Sequence, residues 1–109
     1  MPFDEVLAAR VRETLGHRRG LAEKKMFGGV GYMLDGNMCV GVTRDTLIVR
    51  VGLDNYEQAL AAPHARPFDM TGKALRGWVM IDPPGIARDE DLQAWVAQAV
   101  EFVQTLPAK

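Results

Sequence analysis

Residues Lys24–Leu34 read KKMFGGVGYML. Three glycines, Gly28, Gly29 and Gly31, sit in an otherwise apolar run directly after two lysines. Such a run is either a loop that cradles phosphate or a strand that uses glycine for packing. A phosphate loop joins a strand to a helix, so that helix N-terminal amides face the anion. Here the stretch leads into Asp35-Gly36, a strong hairpin signal, because glycine takes positive φ without cost. The spacing GGxG is not GxGxxG, and no GxxxxGK[ST] occurs. The stretch therefore reads as one strand, Lys25–Leu34, with Met26, Val30, Tyr32 and Leu34 on one face. Its glycines mark a bend or a place where another backbone or an aromatic ring comes close.

Two further strands follow at period two. Met38–Val42 (MCVGV) and Leu47–Val51 (LIVRV) are separated by the turn TRDT, which makes a three-strand antiparallel meander. Upstream, Phe3, Leu7, Val11 and Leu15 recur every fourth residue, with Val6 beside them, and predict a helix ending near Gly16. Asp4 and Glu5 lie in its first turn, where the helix dipole favours negative charge. HRR (residues 17–19) reads as a polar linker. Downstream, Asp54 with Glu57 resembles a capping box for a short helix that Pro63 stops. A short strand is expected around Pro67–Met70 and a firmer one at Gly77–Ile81, followed by the turn Asp82–Gly85. Leu92, Trp95, Val96, Ala99, Val103 and Leu106 form an apolar stripe on a last helix that Pro107 ends. The expected order is α-β-β-β-α-β-β-α. This is an α+β fold in which helices flank an antiparallel sheet of about five strands.

The 109 residues fit one domain, 1–109, large enough to bury a core without staples. Formal net charge is −1 and a quarter of the residues are charged, so the whole molecule is no polyanion binder. One cysteine, Cys39, rules out an internal disulfide and suits a reducing cytoplasm. No stretch reaches the ~18 uninterrupted apolar residues of a membrane helix. The opening MPFDEVLAAR lacks the apolar run of a signal peptide. A cytoplasmic protein with no membrane contact is expected.

Lys25-Met26-Phe27-Gly28-Gly29, then Tyr32, then Asp35-Gly36, resembles the opening motif of the TfoX/Sxy N-terminal domain family. Collinear matches follow at Leu47–Val51, at Pro67-Phe68, at the proline turn of Pro83 and Pro84, and at Trp95 with Ala99. Lys25 stands where the family more often has arginine. The resemblance implies an α+β fold of the secretion-chaperone-like kind. It also implies kinship with regulators of bacterial competence, co-activators thought to act alongside the cyclic-AMP receptor protein. Those regulators usually carry a second, helix-hairpin-helix domain that the 109 residues do not include. On this resemblance, Lys25, Met26, Phe27, Gly28, Gly29, Tyr32, Asp35, Gly36 and Trp95 are the motif and interaction residues.

The chemistry-bearing residues point the same way. Cys39 falls in a predicted central strand, where a buried thiol is inert. His17 and His64 stand at no recognisable metal spacing. The chain has no serine, hence no Ser/His/Asp set. No catalytic residue, cofactor or metal is expected. Residues 10–25 carry Arg10, Arg12, Arg18, Arg19, Lys24 and Lys25 against Glu13 and Glu23, a local charge of +4. Without aromatic interleaving or a helix-turn-helix pattern, this argues against direct DNA reading. The width of the last helix's stripe suggests a homodimer. The reading that results is a protein-interaction domain and accessory transcriptional regulator, with a partner in the transcription machinery. The alternative is a small-molecule binder or enzyme with a polar pocket near Arg50, Asp69 and Arg76.

Overall fold

A computed structural model describes residues 3–26, 28–69 and 72–109. The elements in chain order are α1 (Glu5–Leu15), β1 (Leu21–Met26), β2 (Gly29–Leu34), β3 (Asn37–Thr43), β4 (Thr46–Arg50), α2 (Tyr56–Leu60), β5 (Ala65–Asp69), β6 (Ala74–Ile81), a 3-10 turn (Pro83–Gly85) and α3 (Asp89–Val103). The fold is α+β with a six-stranded antiparallel sheet, strand order β1-β2-β3-β4-β6-β5.

The expected class and most elements are present, with one strand more than expected. The lysine–glycine stretch is two strands, not one. Gly28, at φ +73°, lies between β1 and β2, and Met26 pairs with Gly29 across that connection. Left-handed φ is open to glycine at no steric cost, so the chain reverses there. Met26 therefore does not share a face with Val30, Tyr32 and Leu34. It belongs to the preceding strand and lies on the opposite side of the sheet. β1 escaped the periodicity because none of its residues is fully buried.

α1 starts at Asp4, whose carboxylate accepts from the amides of Val6 (2.8 Å) and Leu7 (3.1 Å). Asp4 is thus the cap and not a first-turn residue. The expected capping box at Asp54–Glu57 does not form. Asn55 takes the N-cap position without a side-chain cap bond, and its Nδ2 donates to the Val51 carbonyl (3.3 Å). α2 ends at Leu60, three residues before Pro63. The expected Pro67–Met70 strand is β5, although Met70 lies outside the described residues.

The helices α1, α2 and α3 pack on one face of the sheet. Val30, Tyr32, Leu34, Val40, Val42, Leu47, Val49, Val79 and Ile81 meet Leu7, Val11 and Leu15 of α1 and Leu92, Val96 and Val103 of α3 in one core. The Tyr32 hydroxyl donates to the Ala8 carbonyl (3.0 Å) and ties α1 to β2. A register shift between Tyr32 and Met33 brings Cys39 as well as Val40 into that core, and the thiol donates to the Tyr32 carbonyl (3.4 Å). No helix among the described residues is long and apolar enough to cross a membrane.

Candidate interaction face

Among the described residues, the opposite face of the sheet carries no helix. Alternation along each strand sends every second side chain to it. On β2 and β3 these include Gly29, Gly31 and Met33, paired with Thr43, Gly41 and Met38. On β4 and β6 they are Ile48 and Arg50, paired with Met80 and Trp78. Ile48, Phe68 and Met80 form a small second cluster, with Met38 and Trp78 half-buried against it.

Gly31 and Gly41 face each other across β2 and β3. A Cβ on Gly31 would lie 3.1 Å from the Met26 side chain, and one on Gly41 2.7 Å from Met38 Cε. The ends of Met26 and Met38 thus lie over these glycines, and the same face holds a trough of about 340 Å³. Methionines 26, 33 and 38 line one end, and Phe68, Leu75 and Trp78 the other. Thioether side chains are flexible and adapt to varied partners. Leu75 is 46% exposed.

Arg50 sits in the trough wall. Its guanidinium lies 5.0 Å from the Trp78 ring centroid and 5.7 Å from that of Phe102. Its Nη1 donates to the Met38 carbonyl (3.4 Å). The polar trio Arg50, Asp69 and Arg76 is not assembled around it. Asp69 accepts from the Gly72 amide (2.7 Å). Arg76 is exposed, and neither Asp69 nor Arg76 lines the trough.

A larger hollow, about 620 Å³, lies between the β4–α2 connection and α3. It is wide open, and its walls mix Val51, Leu53 and Phe102 with Asp54, Asn55, Gln98 and Glu101. A third, about 450 Å³, separates α1 from α3, but its Arg10 is already paired with Asp89 (3.2 Å).

The family model of the TfoX N-terminal domain matches residues 13–103. The chain belongs to the TfoX N-terminal domain family. That family is linked in general to competence regulation. No curated protein and no solved structure matches the chain. In this TfoX N-terminal domain, the motif residues have distinct placements. Lys25 is exposed on the edge strand β1, and Met26 reaches the trough. Phe27 lies outside the described residues. Gly28 lies between β1 and β2, and Gly29 allows close approach of the Val42 carbonyl. Tyr32 is buried beneath α1. Asp35 and Gly36, at φ +52° and +84°, form the tight β2–β3 turn. Trp95 packs half-buried against the main core, as do Phe102 and Leu106, so the wide stripe of α3 is largely taken up within the chain.

Sequence reasoning missed Met33, Ile48, Phe68, Leu75 and Met80 as a face. Each is separated from the others in sequence, and only strand pairing collects them. Their one local signal is that apolar residues occupy both sides of β4 and β6. That pattern marks strands covered on both faces. The cysteine is settled by its surroundings. Burial pushes the Cys39 thiol up from an ordinary 9.0 to about 11, so it stays protonated at neutral pH.

Proposed function

We propose that the chain is a protein-interaction domain of the cytoplasm, an accessory regulator of transcription that works through a protein partner and does not read DNA directly. The observation that carries this is the helix-free apolar face with its methionine-walled trough. A two-layer α+β fold leaves one sheet face to water, and that face is ordinarily polar. Here it is apolar, as surfaces that dock a partner are. The family's general link to competence regulation supports a partner in the transcription machinery. Two of the six cations of residues 10–25 are engaged within the fold, Arg10 with Asp89 and Arg12 with Glu23 (2.9 Å).

The test is affinity capture from the native cell lysate, with nuclease treatment, using the chain and a Met33→Glu/Leu75→Glu variant. A component of the transcription machinery is expected with the chain, surviving nuclease and absent with the variant. Recovery that depends on nucleic acid, or that the variant leaves unchanged, defeats this reading.

A further inference from the structure

The trough crosses the whole sheet. Residues from all six strands line it, from Met26 on β1 to Phe68 on β5. Five inter-strand steps make roughly 24 Å, the reach of a seven-residue extended segment or about four turns of helix. A volume of about 340 Å³ spread over that length is shallow. A small ligand is normally engulfed on most of its surface. A long shallow trough suits side chains entering from a chain laid across it.

Charge narrows the choice of chain. Among its side chains, the trough's described lining has two cations, Arg50 and Lys109, and no Asp or Glu. The ion pairs of the described residues engage Arg10, Arg12, Arg66 and Arg88, and none engages Arg50. Arg50 is half-buried and held against Trp78, with the Met38 carbonyl as its hydrogen-bond acceptor. A guanidinium carries five N–H donors in a rigid fork that matches a carboxylate. Partly stripped of water and without a counter-charge, it favours an anion brought from outside. A second copy docking face to face would bring like charges together, which disfavours that occupant.

We infer that the trough takes an acidic amphipathic segment of another protein, whose carboxylate pairs with Arg50 while its apolar side chains enter among Met33, Ile48 and Leu75. This rests on the docking function proposed above and specifies the partner's chemistry.

The experiment is selection of a displayed random-peptide library on the intact chain, in parallel with Arg50→Gln, Arg50→Lys and Met33→Glu/Leu75→Glu. Thermal melts establish that each variant is folded. The expected peptides combine Asp or Glu with aliphatic or aromatic residues. The best of them should lose about tenfold or more in affinity with Arg50→Gln, as loss of a charged hydrogen bond implies, and less with Arg50→Lys. Peptides without acidic residues that still need the Met33/Leu75 face overturn the Arg50 assignment and leave docking intact. Peptides indifferent to that face overturn both. Octanoate binding abolished by Arg50→Gln, with no peptide selected, gives the trough to a small carboxylate and overturns the segment. So does a concentration-dependent dimer that the face variant dissolves, which gives it to a second copy.

Discussion

Gly31 of β2 and Gly41 of β3 are register partners on the open face, and the ends of Met26 and Met38 lie over them. A neighbouring glycine, Gly29, has a different reason to be glycine. A Cβ at Gly29 would collide with the backbone carbonyl of Val42, whereas one at Gly31 would meet only the ends of Met26 and Met38. Backbone cannot yield as a methionine can.

Gly29→Ala is therefore expected to cost about 1–3 kcal/mol, the usual range for overpacking. Gly31→Ala should stay within about 1 kcal/mol of the parent, because reduced freedom of the unfolded chain offsets the crowding. Urea unfolding of the two variants checks the order. A Gly31→Ala variant less stable than Gly29→Ala would contradict this geometry.

Tyr32→Phe removes the hydroxyl that donates to the Ala8 carbonyl. The ring keeps its place in the core, so the loss is that of one hydrogen bond, about 0.5–1.5 kcal/mol. Hydrogen exchange should show the loosening first in α1, the element this bond holds down.

Alkali should destabilise the fold through Cys39. The folded thiol keeps its proton to about 11, against an ordinary 9.0. Between those values the unfolded chain binds fewer protons than the folded one, so unfolding free energy falls as pH rises. The contribution is complete below pH 9 and is lost on passing through about 11. Its size is roughly 2–3 kcal/mol. Tyr32 acts in the same direction, its value raised by burial first and by the Glu23 charge second. Chemical denaturation from pH 8 to pH 11 should show the slope, and Cys39→Ala should flatten it. In the folded chain at pH 8 the thiol should also react slowly with a soluble disulfide reagent.

Arg12 on α1 and Glu23 on β1 make a two-pronged pair, 2.9 and 3.2 Å. Both side chains are partly exposed to water. Glu23→Gln is expected to cost no more than about 1 kcal/mol, and less in high salt. A melting temperature that drops equally at low and high salt would point to packing and not to charge.

Local chemistry made much of this fold legible. The four-residue recurrence of Leu7, Val11 and Leu15 wrote α1, although Phe3 lies before the helix in a bridge to Arg44 and Val6 is exposed; Asp35-Gly36 wrote the β2–β3 turn, and the stripe from Leu92 to Val103 wrote α3. Each depends on neighbours in sequence, through helical spacing or the φ that glycine tolerates. The motif around Lys25–Gly36 likewise carried the family. Three things were decided only by tertiary structure. β1 is a strand because it pairs with β2, not because its charged residues favour one. Cys39 reaches the core through a bulge that period-two counting cannot foresee. The interaction face joins Met26, Gly31, Gly41, Ile48, Phe68 and Trp78 from six strands, with Arg50 in its wall in place of the Arg50–Asp69–Arg76 cluster. Strand order and register set those neighbours, and both follow from how the whole sheet packs beneath its helices.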